Sequence, residues 1–147
     1  MSHSLTRIWI HAVWSTKERF PYMKEKQRIK IIHHLNSKFE ELDCNVRIIN
    51  GTENHLHTLF LLNQNKSIKE ILKNVKGETS HWINQNEFYN TKFAWQIGYG
   101  AFSVSESVVS EVEKYIKNQQ AHHRKMSFQE EWELLLKKHN IVIMGNH

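Results

Sequence analysis

Asn50–Leu62 reads NGTENHLHTLFLL. An Asn-Gly pair between two apolar runs is a strong short-range hairpin signal, so NVRIIN before it and HLHTLFLL after it are expected to be paired strands. The second strand carries His55 and His57, with Leu56 between them, where strands mostly place apolar residues. Side chains on a strand alternate between faces, so the two imidazoles share one face, with backbones roughly 7 Å apart. One metal ion could meet both rings. As an isolated motif, His-x-His is more often an ordinary polar pair at a sheet edge, hydrogen-bonded to backbone.

Working outward, Leu5 to Trp14 alternates Ile8, Ile10, Ala12 and Trp14 against Trp9, His11 and Val13, which marks a first strand. Lys24 to Leu42 spaces Ile32, Leu35, Phe39 and Leu42 as one face of a helix. Ser67 to about Glu87 reads as a second helix on the stripe Ile68, Ile71, Leu72 and Val75. Lys66, Lys69, Lys73 and Lys76 recur there at steps of three and four, so they are expected on one side, away from the core. KFAWQIGYGAFSV is expected as the fourth strand and Ser105 to about Lys125 as the third helix. Ser127 with Glu130 three residues on signals a capping box that opens a last short helix.

The order strand, helix, strand, strand, helix, strand predicts an α+β fold of the ferredoxin-like (RRM-like) kind. It has an antiparallel sheet, both crossover helices on one face, and extra C-terminal helices. At 147 residues with one Pro and five Gly, residues 1–147 are expected to form a single domain. The single Cys44 excludes an internal disulfide framework. The N-terminal run is interrupted by Arg7 and His11, unlike a signal peptide or a membrane span, so a cytoplasmic protein with no membrane partner is expected. A formal charge of +5, with eleven histidines uncounted, favours polyanionic partners.

On the expected third helix, Tyr115 and Gln119 lie four residues apart and share a face, while Val109, Val112 and Ile116 form the apolar stripe beside them. A tyrosine with a free pKa of about 10 is a weak nucleophile at neutral pH. It becomes competent against phosphorus when a divalent cation polarises the phosphodiester. Two imidazoles and a neutral amide oxygen would leave coordination positions for phosphate oxygens and water, which suits Mg²⁺ or Mn²⁺. Taken alone, a tyrosine beside a helix stripe more often packs its ring and exposes its hydroxyl.

The segments HAVWSTKERFPYM, NGTENHLH, KGETSHWIN, WQIGYGAFSVS and VEKYIKNQQAHHRKMSFQEEW together resemble the single-tyrosine HUH transposases of the insertion sequence 200/605 type. Histidine, bulky residue, histidine is His55, Leu56, His57 here. The resemblance implies that Tyr115 is the nucleophile and that His55, His57 and Gln119 hold the metal. It further implies a homodimer acting on single-stranded DNA with hairpin ends, cleavage through a 5′-phosphotyrosine, and transfer to another 3′ hydroxyl without a nucleotide cofactor. Members can also build the site from two subunits, a point the sequence leaves open. Lys66, Lys69, Lys73 and Lys76 are candidate DNA contacts, and equally a solvated helix face. Two alternatives stand beside the transposase: a domesticated HUH nickase acting on palindromic repeats, and a non-catalytic nucleic-acid-binding module.

Overall fold

The computed structural model describes residues 4–142. Four strands, β1 (Trp9–Ser15), β2 (Val46–Gly51), β3 (His55–Leu61) and β4 (Gly100–Val104), form one antiparallel sheet in the order β2-β3-β1-β4. Helices α1 (Glu25–Glu41) and α2 (Ile68–Gln85) are the crossovers. α3 (Val109–Lys117), a single turn α4 (Gln119–His122) and α5 (Phe128–Lys138) follow β4. This is the expected ferredoxin-like sandwich with added C-terminal helices.

The period-two pattern of the central strands divides the interior. Ile10, Ala12 and Trp14 of β1, with Leu56 and Phe60 of β3, pack against Ile31, Leu35 and Phe39 of α1 and Ile71, Leu72 and Val75 of α2. The alternate residues face the other way. Trp9 and Leu59 meet Val109 and Ile116 of α3, while Val13 and β4 Phe102 meet Phe128 and Leu135 of α5. α1 ends where Asp43 takes a left-handed conformation (φ 56°), the usual way of stopping a helix. α2 opens on a reciprocal capping box between Ser67 and Glu70.

Three sequence expectations change in detail. Asn50 and Gly51 do not form the turn: they are the last residues of β2, paired with His57 and Leu56, and the chain reverses over 52–54. Gly51 is needed because a Cβ there would lie 2.0 Å from the His55 carbonyl oxygen. The fourth strand covers only Gly100–Val104. Upstream of it the chain is irregular apart from one bridge between Thr16 and Trp95, and Asn84 clamps Phe93 by accepting from its N–H and donating to its carbonyl. The third helix is interrupted. A 3₁₀ turn spans Glu106–Val108, and Asn118 separates α3 from α4. Among the described residues, no helix is long and apolar enough to cross a membrane.

Candidate active site

β3 is a central strand, so His55 and His57 are fully buried and not edge residues. They lie on the sheet face opposite α1 and α2, roofed by α3, α4 and α5. Phe128 of α5 stacks on His55 at 4.2 Å between centroids. On the same face of β1, buried His11 places its Nε2 2.8 Å from His57 Nδ1.

The interruption at Asn118 does not separate Tyr115 from Gln119. Asn50 donates from its side-chain amide to the carbonyls of Ile116 and Lys117, satisfying two of the orphan acceptors at the end of α3. Gln120 returns hydrogen bonds to Asn50 Oδ1 and the Gly51 carbonyl. The β2 end, next to the histidine hairpin, therefore fixes the C-terminus of the tyrosine helix. Gln119 is fully buried, with Oε1 2.9 Å from His55 Nε2. Tyr115 is half-buried, its ring edge-on to His57 at 5.7 Å and tilted against His122 at 4.9 Å.

Glu131 of α5, which the sequence reading did not single out, closes the site. It is 2% exposed. Its Oε1 lies 3.2 Å from Nε2 of both His55 and His57, and 2.8 Å from His123 Nε2. Its Oε2 accepts from Gln119 Nε2 at 2.8 Å and from the Tyr115 hydroxyl. The available signal was its place on the face of α5 shared with Phe128 and Leu135, where a carboxylate is out of character. His11 carried a similar signal, sharing strand parity with Trp9 and Val13.

The electrostatics follow from burial. It pushes His57 below the ordinary imidazole value, with Glu131 pulling the other way, and pushes His11 well below it, helped by His57. His123 falls to about 4 through burial and the neighbouring His55 and His57. For Glu131 burial works upward, yet hydrogen bonds from His55 and His57 outweigh it and hold the carboxyl at about 2. At neutral pH the site therefore holds the ionised Glu131 carboxylate beside neutral His11, His57 and His123.

The donor set suits a cation. His55 Nδ1 lies 2.8 Å from Asn54 Oδ1, an acceptor for a proton on Nδ1, and that tautomer leaves Nε2 with a lone pair. His55 Nε2, His57 Nε2, Gln119 Oε1 and Glu131 Oε1 meet at one point. In the tautomers with Nδ1 protonated, both imidazoles turn a lone pair toward the two side-chain oxygens, and the four atoms become a ligand set. His55, His57 and Glu131 form a buried group able to hold a metal ion.

The lysines are elsewhere. α2 packs on the opposite sheet face, and Lys69 and Lys73 project from it into solvent with Lys66 half-buried just before it. Lys76 breaks the expected stripe: its ammonium donates to the Gln96 and Gly98 carbonyls and burial lowers its pKa to about 8. Near the site, exposed Arg19 lies over Phe128, whereas Arg7 and Arg47 are paired with Glu106 and Glu113.

A ferredoxin-like sheet thus carries a buried histidine pair on a central strand with the Tyr115 helix against it, the arrangement implied by the resemblance to DNA-processing transposases. Residues 4–119 match the family model of IS200-like transposases, and the chain belongs to that family. Its fold is similar to the crystal structure of a candidate transposase from Deinococcus radiodurans R1, with TM-score 0.66 and 17% identity over 81% of this chain and 95% of that one. It is also similar to a REP-associated tyrosine transposase bound to a REP hairpin, with TM-score 0.61 and 13% identity over 84% of this chain and 74% of that one. No curated protein matches.

Proposed function

We propose that this protein is a metal-dependent single-strand DNA transposase that cleaves and rejoins DNA through Tyr115. One observation carries the reading. Tyr115, Gln119, His55 and His57 converge within a single chain, linked through Glu131, on the buried face of a central strand.

In the proposed reaction the Tyr115 Oη attacks the scissile phosphorus and the P–O3′ bond breaks. The 3′ oxygen leaves as a hydroxyl carrying, in net terms, the proton lost by the tyrosine. The 5′ phosphate remains esterified to Tyr115. Attack by another 3′ hydroxyl reverses these bond changes and restores the tyrosine, so no nucleotide cofactor is consumed. A bound Mg²⁺ or Mn²⁺ would supply charge neutralisation and Lewis-acid polarisation of the phosphate. His55, His57 and Gln119 would hold it, joined by Glu131. A cleft of ≈ 560 Å³ between α3 and α5, bordered by Ser103, Val112, Tyr115, Leu134 and Lys138, gives a strand access to the tyrosine.

The reading includes one domain over 1–147, a cytoplasmic homodimer, and single-stranded DNA with hairpin ends as substrate. The similar tyrosine transposase bound to a REP hairpin supports the hairpin part. Arg19 is placed to meet a phosphate near Phe128. Lys66, Lys69 and Lys73 would meet DNA on the far layer, away from the chemistry.

The test mixes the protein, or its Tyr115→Phe variant, with labelled single-stranded oligonucleotides spanning both flanks of its gene, with Mn²⁺ or EDTA, on a denaturing gel. A protein–DNA band that needs both the metal and Tyr115 is expected. Tight binding without such a band in any condition would favour a non-catalytic module instead.

A further inference from the structure

The family match ends at Gln119, yet the residue that contacts His55, His57, Gln119 and Tyr115 lies beyond it, on α5. The two carboxylate oxygens of Glu131 have different partners. Oε1 faces the imidazoles, 3.2 Å from His55 Nε2 and His57 Nε2, with Gln119 Oε1 2.9 Å from His55 Nε2. Oε2 faces the nucleophile, accepting from the Tyr115 hydroxyl and from Gln119 Nε2. Their burial leaves little freedom: Gln119 and the two histidines are fully buried and Glu131 nearly so.

We infer that Glu131 is a bridging residue, ligating the cation through Oε1 while Oε2 positions the Tyr115 hydroxyl beside it. This rests on the transposase reading for the role of Tyr115, but the bridge itself is a property of the folded chain. The carboxylate can serve both because its two oxygens have separate partners, the imidazoles at Oε1 and the tyrosine hydroxyl at Oε2. His123, 2.8 Å from Oε1, and Phe128, stacked on His55, hold the helix that carries it. Orientation of this kind acts on the bond-forming step, since a small displacement of a reacting atom costs far more rate than affinity. A carboxylate that ligates beside the imidazoles also adds negative charge, which favours a divalent ion.

The experiment uses the full-length protein and its Glu131→Gln, Glu131→Asp and Tyr115→Phe variants, each checked for folding by near-ultraviolet circular dichroism. Three quantities are read: Mn²⁺ affinity without DNA by electron paramagnetic resonance, oligonucleotide affinity by anisotropy, and the single-turnover rate of adduct formation at saturating Mn²⁺. Glu131→Gln, nearly isosteric, is expected to weaken Mn²⁺ binding at least tenfold and slow adduct formation at least thirtyfold, with oligonucleotide affinity within about twofold. Glu131→Asp, which keeps the charge and shortens the reach, is expected to retain more Mn²⁺ affinity than Glu131→Gln while still slowing the adduct. Tyr115→Phe is expected to lower the melting temperature of the metal-free parent more than that of the Glu131→Gln variant, whose amide oxygen accepts more weakly than a carboxylate, a coupling that needs neither metal nor activity. Unchanged Mn²⁺ affinity in both Glu131 variants, or equal Tyr115→Phe shifts in the two backgrounds, would overturn the bridge. If the parent protein forms no adduct, the transposase reading fails, while the Mn²⁺ and melting measurements still decide the bridge.

Discussion

Replacing Leu135 by Ala tests whether α5 is a separable unit that delivers Glu131. Leu135 is 7% exposed and packs with Val13, Phe102 and Phe128. The substitution removes three carbons, about 2.4 kcal/mol at roughly 0.8 kcal/mol per buried methylene. The cavity penalty that raises many Leu→Ala costs should be small, because Leu135 also borders the cleft beside Tyr115 and the space left opens toward solvent. A loss of about 2–3 kcal/mol is therefore expected. It should fall on the docking of α5, since an 11-residue helix has little stability of its own, and the core under α1 and α2 lies across the sheet. By mass action the opening constant of α5 should rise about 30- to 150-fold. Hydrogen exchange read by mass spectrometry should show that acceleration in peptides from α5 and unchanged rates in β1 and β3. Equal acceleration in β3 would refute the argument, because the sheet and α5 would then open as one; unchanged α5 rates would refute the packing estimate.

Other outcomes follow from the same geometry. Asn50→Ala should cost about 1–2 kcal/mol by leaving the Ile116 and Lys117 carbonyls short of a donor, and should reduce adduct yield by loosening the tyrosine helix; thermal melting and the denaturing gel check the two effects. Gly51→Ala should prevent the hairpin from closing and give little folded protein by circular dichroism, since its Cβ would fall on the His55 carbonyl. In acid, the depressed values of His57, His11 and His123 mean that the unfolded chain binds protons first. Stability is then fully present above about pH 6.5 and falls as pH drops toward the folded-state values, about 4 for His123. Glu131 adds a later loss as pH falls from the ordinary 4.5 toward about 2. Urea melts from pH 8 to pH 3 should show this direction, and a midpoint that rises on acidification would contradict it. Adding Mn²⁺ at 100 times its dissociation constant should stabilise the parent by about 2.7 kcal/mol, visible as a melting shift that EDTA reverses.

Much of the fold was legible because local period and tertiary burial agree. Ile10, Ala12 and Trp14 alternate on a strand that is buried on both sides, and Ile71, Leu72 and Val75 mark the buried face of α2. Legibility failed where side chains replace the regular ladder. Phe93 and Trp95 are as apolar as strand residues, but Asn84 holds the backbone at Phe93 and Trp95 donates its indole N–H to the Lys76 carbonyl, so apolar content there signals packing without a strand. The stop at Asn118 depends on Asn50, 68 positions earlier, and no local window contains it. In the site, the spacing of His55, His57, Tyr115 and Gln119 is short-range and readable. The arrival of Glu131 depends on how α5 docks, which is set by Val13 and Phe102 on strands distant in sequence.

The sheet acts as a partition between two kinds of constraint. One side holds the aliphatic and aromatic packing that lets the chain fold, and the other holds the histidines, the amide and the carboxylate, covered by short helices with small satellite cores. Changes on the covering helices can therefore alter which groups meet at the histidine pair while the larger core stays intact. A chain built this way can exchange the parts of its chemistry more readily than the parts of its architecture, and recognisable family members can share the strands while differing in the helix laid over them.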